Sequence, residues 1–282
     1  MKKILFKILS FFTLSIPTIF LIKLSGKRII YPFYHIISDN PPAHIKYLYP
    51  VRSIKQFEKD LVFLQKHFTA SDFPVKGNNP QFVLSFDDGL SEDYDIIAPI
   101  LKKENIPAIF FVNSAFVDNK DMFTNYISSL NKENPTIDFK EYLKNEKPYL
   151  TKQQISELKA EGFTIGAHSI NHPLFSEITE KEQIRQVQES VNFVIENFGE
   201  KQKLFAFPFT DNNVKDTFFD TVFNKNIVDY TFGTAGIKDD NIKNNIQRIP
   251  VEKYGLSAKR HIKTEFLLYL VKRVFKKEKV RR

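Results

Sequence analysis

The chain has no cysteine, which excludes disulfide staples, thiolate nucleophiles and cysteine-ligated zinc or iron–sulfur centres together. Any metal must therefore sit on histidine, aspartate or glutamate. The redox compartment leaves no trace either, because a chain without thiols persists equally in cytosol, periplasm or medium. Tryptophan is absent as well. No internal repeat or low-complexity tract interrupts the 282 residues, and 42% hydrophobic with 26% charged residues exclude disorder and a fibrous repeat in favour of a globular core. At about 150 residues per domain the length allows two domains, but α/β barrels of this size form one, and one is expected here.

Acidic residues are missing from residues 1–28, which hold Lys2, Lys3, Lys7, Lys23, Lys27 and Arg28. Residues 259–282 set ten Lys/Arg against Glu265 and Glu278, so that of the formal charge of +8 the residues between, 29–258, carry −6. A mildly acidic body between basic ends disfavours a basic groove for nucleic acid. Long hydrophobic runs are lacking too. Ile8–Ile22 is uncharged but contains Pro17. It falls short of the ~20 residues of a spanning helix and matches a signal-peptide core better, although no small-x-small cleavage site precedes the first strand. Near the other end Phe266, Leu267, Leu270, Val271, Val274 and Phe275 recur at helical spacing among basic residues. That is the pattern of a helix on an anionic membrane surface, or of a solvated terminal helix packed on the domain. The expected division is a signal or anchor over 1–28, a folded body over 29–257 and a basic amphipathic helix over 258–282. Both ends suggest membrane contact or export to the cell envelope, on an unspecified face of the membrane.

Within the body, short apolar runs alternate with amphipathic helices. The strand candidates are Ile29–Ile36, Phe82–Phe86, Ala108–Val112, Phe163–Ala167, Leu204–Phe207, Ile227–Phe232 and Ile246–Val251. Ser53–Gln56, Thr151–Gln154 and Thr179–Glu182 read as capping boxes, and Gly162 and Gly199 as helix stops. Continuous rather than alternating apolar strands imply a parallel sheet covered by helices. About seven such units predict a distorted or incomplete (β/α) barrel. Residues 117–150 are longer than a barrel connection needs and read as a partly helical insertion over one end.

Two clusters could carry chemistry. Phe86-Asp87-Asp88-Gly89 follows a buried strand, where adjacent carboxylates repel unless a cation or shared proton compensates; alone it is more often an Asp-Asp-Gly turn capping a helix. His168-Ser169-Ile170-Asn171-His172 also follows a strand. A helical turn beginning at His168 would put both imidazoles on one face to grip a cation. Barrel active sites form at the C-terminal strand ends, where Asp87, Asp88 and His168 are all expected. Two histidines and one aspartate leave positions open for water, as in a hydrolytic metal site; zinc suits that donor set, and the remaining aspartate could be a base. Phosphate chemistry of the haloacid dehalogenase type requires Asp-x-Asp-Gly-Thr, a spacing that Asp87-Asp88-Gly89-Leu90 lacks.

Leu84-Ser-Phe-Asp-Asp-Gly89 resembles the first motif of the polysaccharide deacetylases with NodB homology, carbohydrate esterase family 4, and His168-Ser-x-x-His172 resembles the second. Order and spacing are also similar, over roughly residues 30–250. The resemblance implies that Asp87 is the general base and Asp88, His168 and His172 the metal ligands. The family's third motif, Arg-x-Pro-Tyr, aligns with Ala206-Phe207-Pro208-Phe209, so Ala206 replaces the arginine that orients the base, while Phe209 keeps the backbone N–H that serves the oxyanion. Control of the Asp87 pKa is then unexplained, and Arg248 is a candidate for orienting a carboxylate. The fourth motif, Asp-x-x-Asp-Trp, is absent, and Arg248-Ile-Pro-Val251 stands where the family's Leu-x-His is expected. Members similar to the poly-N-acetylglucosamine deacetylases carry that histidine near the N-terminus, which nominates His35, at the end of the first strand, as the general acid. Tyr34, His44, Pro208 and Arg248 are candidate substrate contacts; Tyr47 and Tyr49 are open to sugar stacking or packing.

The resulting expectation is a zinc-dependent hydrolase that removes N-acetyl groups from an acetylated glycan or lipid-linked sugar of the cell envelope. The competing expectation is a catalytically inactive carbohydrate-binding or scaffold protein on the same fold, since three family motifs are altered.

Overall fold

Strands that are each followed by a returning helix pair in parallel, because the crossover brings the chain back to the same end of the sheet. The computed structural model describes residues 2–282. Its strands are β1 (Ile29–Ile30), β2 (Pro32–Tyr34), β3 (Thr69–Ala70), β4 (Gln81–Phe82), β5 (Leu84–Phe86), β6 (Ala108–Val112), β7 (Thr164–Ala167), β8 (Leu204–Ala206), β9 (Tyr230–Gly233), β10 (Asn245–Gln247) and β11 (Ile249–Pro250). Eight form a sheet in the order β10-β9-β8-β7-β6-β5-β2-β11, all neighbours parallel. Its two edge strands are halves of one run interrupted at Arg248: the Arg248 N–H donates to Gly233 O, beside β9, and the Ile249 N–H to Tyr31 O, beside β2. One run thus serves both edges and brings the sheet nearly closed into a barrel, the expected architecture. The small sheet β1-β4-β3 extends it at the N-terminal end of β2 and β5. Thr69–Ala70, two residues with little apolar character, is a strand beyond the seven candidates.

Side chains alternate along each strand. Val83, Ile109, Phe111, Leu204, Ala206 and Phe232 form the packed interior. A Cβ on Gly166 of β7 would sit 2.4 Å from the Phe111 ring, so only glycine leaves room for that ring inside the barrel. The opposite set, including Leu84, Phe86, Phe110, Ile165, Phe205 and Phe207, packs under the helices.

The helices are α1 (Lys2–Phe12), α2 (Thr18–Ser25), α3 (Ile54–His67), α4 (Ala98–Lys103), α5 (Thr124–Glu133), α6 (Phe139–Glu146), α7 (Lys152–Ala160), α8 (Glu180–Phe198), α9 (Asp216–Asn224) and α10 (Ala258–Val274). Full capping boxes open α3 and α7. At α8 only half of the expected box forms: Thr179 accepts from the Glu182 N–H, but the Glu182 carboxylate turns to Arg185 and Gln186. Helices α5 and α6 make up most of the insertion. Its Met122, Tyr126, Leu130, Leu143 and Tyr149 pack with Ile36, Ile45 and Leu90 into a second core above the C-terminal strand ends.

Both terminal segments lie on the barrel. Pro17 separates α1 from α2, and the two apolar stretches meet at 108°; no single described helix is long and apolar enough to cross a membrane. They dock on α10, where Arg260 donates to Ser10 Oγ, Lys263 to Leu14 O and Arg273 to Leu24 O and Ser25 O. The expected helix over 258–282 stops at Val274, and its apolar residues divide. Phe266 is buried, Leu267 and Leu270 are half-buried, and Val271, Val274 and Phe275 are exposed.

Candidate active site

The site is assembled from strand ends: His35 follows β2, Asp87 and Asp88 follow β5, His168 follows β7, Phe209 lies beyond β8 and Glu252 beyond β11. They surround a cavity of about 390 Å³, roofed by Phe123 and Tyr126 of the insertion. Asp88, Ser169, His172 and Phe209 all hold positive φ, between 57° and 77°. Non-glycine residues adopt this conformation at a cost, and its clustering here marks a functional site.

Asp88, His168 and His172 are buried, with one donor atom from each lying within 4.8 Å of the others. Asp88 Oδ1 is 3.3 Å from His168 Nε2 and 3.2 Å from His172 Nε2, yet has no hydrogen-bond partner. His168 Nδ1 lies 2.9 Å from Ala206 O, so the ring donates there and presents the Nε2 lone pair inward. Burial lowers the His172 pKa, Asp88 opposing, a shift towards the neutral imidazole that a ligand must be. Burial pushes the Asp88 carboxyl up, but the histidine rings outweigh it and hold it well below the usual range. An orphaned buried carboxylate oxygen facing two imidazole nitrogens fits a divalent cation. The histidines do not reach it by the expected helical turn. Residues 168–172 form a bend in which His172 N–H donates to Ser169 Oγ at 2.9 Å, and Asn113, beyond β6, donates to His168 O and Ser169 Oγ from below. Pro173 disfavours helical geometry at His172, and the left-handed residues turn the ring back instead.

Asp87 is paired bidentately with Arg248, Nη1 to Oδ1 at 2.6 Å and Nη2 to Oδ2 at 2.8 Å. The guanidinium also donates to Ser85 Oγ at 3.1 Å and lies 4.2 Å from the Phe33 ring centroid, inside the barrel. Burial raises the Asp87 carboxyl, but Arg248 prevails and the pKa is lowered. Arg248 therefore orients the carboxylate, the role left vacant at Ala206. Its expected part as a substrate contact is corrected: it is 1% exposed and does not border the cavity.

His35 borders the cavity, its ring stacked on Tyr49 at 4.8 Å. Its Nδ1 is bonded to the buried carboxylate of Glu252, which also accepts the His35 backbone N–H. Burial pulls the His35 pKa down, but Glu252, Asp88 and Asp87 together push it up to about 9. With Nδ1 engaged, Nε2 is left for the cavity.

Three other expected substrate contacts are also corrected. Tyr34 points to the outer face, against Phe57 and Phe86, with its hydroxyl on Asp60; its neighbour His35 takes the opposite face because strand side chains alternate. His44 is buried away from the cavity with Nδ1 on Tyr142 Oη, its pKa lowered to about 4 by burial despite Asp88. Pro208 is buried and does not line the cavity, because the chain turns at Pro208–Thr210 and sends Phe209 outward. Tyr49 lines the cavity, whereas Tyr47 is an exposed ring beside Lys46 and Lys132. Glu252 and Tyr126 escaped the sequence reading. Tyr126 Oη donates to Asp88 Oδ2 at 2.5 Å and is bonded to Tyr49 Oη. Such an outer bond orients a ligand, so Tyr126→Phe is expected to weaken divalent-metal affinity by about 10–100-fold, read by competition with a chromophoric chelator.

The sequence model of the polysaccharide deacetylase family matches residues 75–221, just over half of the chain. No curated protein matches significantly. Among solved structures, the deacetylase PplD of Streptococcus pyogenes in complex with acetate superimposes with a TM-score of 0.64 at 17% identity, covering 85% of this chain and 98% of that one. IcaB from Ammonifex degensii gives 0.62 at 17%, covering 86% and 97%. A de-N-acetylase from Aggregatibacter actinomycetemcomitans gives 0.64 at 17%, covering 82% and 97%. At these identities the likeness speaks for the fold.

Proposed function

Because the chain belongs to the polysaccharide deacetylase family, we propose that it is a metal-dependent hydrolase that removes acetyl groups from amino-sugar nitrogens of a cell-envelope glycan. One observation carries the reading: a base paired to an arginine and a histidine paired to a glutamate flank the Asp88–His168–His172 cluster. Two imidazoles and a carboxylate suit zinc. A divalent ion held there would supply carbonyl polarisation and a lowered pKa for bound water, from 15.7 towards roughly 7.

The protein's own groups do the rest. Asp87, ionised by Arg248, accepts the proton of the attacking water as the new C–O bond forms. The Phe209 amide, which has no acceptor among the described residues, is available to the developing oxyanion. His35 gives its Nε2 proton to the nitrogen as the C–N bond breaks, leaving acetate and a free amine. Arg248, paired with Asp87 in place of the missing family arginine, supports this reading over that of an inactive scaffold.

Incubating the purified protein with acetylated glycans, with zinc or with a chelator, tests the proposal. Acetate release with zinc and none with chelator is expected; release unaffected by chelator refutes the metal requirement. Activity needs Asp87 ionised and His35 protonated, so the alkaline limb of kcat/KM follows His35. Glu252 is the leading group that raises it. Glu252→Gln is therefore expected to move that limb down by at least about one pH unit, a loss of roughly 1.4 kcal/mol of differential stabilisation, with the acidic limb unchanged.

A further inference from the structure

Among the described residues, twelve of the fifteen large hydrophobic side chains that stand exposed belong to α1, α2, the link between them and the end of α10. Ile4, Ile8, Phe11, Phe12, Phe20 and Val274 are each about half exposed or more. Single exposed apolar residues are ordinary, but a set of this size on helices that pack together, α1 and α2 on α10, marks an interaction surface. Lys3, Lys7 and Lys23 accompany it on α1 and α2, Arg273, Lys276 and Lys277 at the end of α10, and the chain has no acid before Asp39. Apolar side chains fringed by cations match an anionic bilayer surface. The hydrogen bonds from Arg260, Lys263 and Arg273 to α1, α2 and their link fix this face relative to the barrel.

The same helix walls a second groove. It measures about 770 Å³ and runs between α1, the loop beyond β8 and α10. Phe209, Thr234, Pro250 and Lys253 border both this groove and the catalytic cavity, so the two adjoin. Leu5 and Leu9 of α1 line it, together with Lys238, Lys253 and Lys272. Burial, together with the charges of Lys272 and Arg281, lowers the Lys238 pKa, with Glu265 and Asp211 opposing. The acid in the groove, Glu265, is bonded to the Ile237 N–H, and burial raises its pKa. The buried His261 also borders the groove, with its pKa lowered to about 3 by burial and by Arg52 and Lys253, so it adds no positive charge.

We propose that the protein docks on an anionic membrane through α1, α2 and the end of α10, and that its substrate is a lipid-phosphate-linked acetamido sugar. This rests on the deacetylase reading above and names the substrate class for that site. An anomeric phosphate lies within one sugar ring of the scissile amide. With the sugar in the catalytic cavity, the phosphate meets Lys253 at the junction and then Lys238 and Lys272. The hydrocarbon chain leaves along Leu5 and Leu9 towards the bilayer.

The test uses the full-length, zinc-loaded chain in two arms. In flotation, it is expected to rise with phosphatidylglycerol-containing vesicles and not with pure phosphatidylcholine; Phe11→Ser/Phe12→Ser should abolish the rise without lowering the melting temperature. Failure to bind anionic vesicles overturns the proposal. In turnover, N-acetylglucosaminyl polyprenyl diphosphate in those vesicles is compared with a soluble N-acetylglucosamine oligomer. Lys238→Glu/Lys272→Glu is expected to lower kcat/KM for the lipid-linked sugar by about tenfold or more and to leave that for the oligomer unchanged. Equal loss on both substrates, or no loss on either, overturns the proposal. Turnover of the oligomer alone overturns it and leaves the deacetylase reading standing, while turnover of neither overturns both.

Discussion

Replacing Asp87 by asparagine is expected to lower kcat by about two to four orders of magnitude, the range contributed by a positioned general base. The amide has the same shape as the carboxylate and accepts one hydrogen bond from Arg248, but it cannot take a proton from water. KM should change little, because Asp87 is committed to Arg248 by two hydrogen bonds and has little left for the ground-state substrate. The variant leaves Arg248 partly unpaired in the barrel interior, so rates must be normalised to folded, metal-loaded protein. An unchanged kcat in that fraction would remove Asp87 from the mechanism.

Arg248→Met should be the most destabilising single change in the site. It strands a carboxylate that is 2% exposed, and removing one partner of a buried ion pair costs about 3–5 kcal/mol. In a domain of this size that corresponds to a melting point lower by roughly 10 °C. Burial is the largest influence on Asp87 and acts upward, with Arg248 the leading opposing charge. Without the guanidinium the Asp87 pKa rises, so the acidic limb of the rate profile moves to higher pH and part of the lost activity returns as pH increases. A purely structural role would lower stability without moving that limb. The pair Asp87→Asn/Arg248→Met should be less destabilised than the sum of its single variants, since each change removes the charge stranded by the other.

The barrel was legible because its strands are short, apolar and punctuated by capped helices, and the closing run was expected at Ile246–Val251. Parity adds what apolar runs alone do not: alternation along β2 puts Tyr34 outside and His35 inside. Along the closing run, the phase of Ile246 puts Arg248 in the interior, opposite the end of β5. Glu252, two residues past β11, carried a comparable signal: an acid at the C-terminal end of a barrel strand, like Asp87. Tyr126 carried none. It reaches the site through the packing of the insertion against the loop around Ile45, which no local period encodes. The departure of residues 168–172 from a helical turn was signalled only by Pro173.

The most direct measurement is the divalent-metal stoichiometry and affinity of the purified chain and of His168→Ala/His172→Ala, with folding checked by thermal denaturation. Asp88, His168 and His172 meeting at the barrel mouth predict one tightly bound ion per chain, lost together with acetate release in the double variant and regained in neither. Undiminished metal binding by a folded double variant, or full activity of the wild-type chain after complete chelation, would contradict the account.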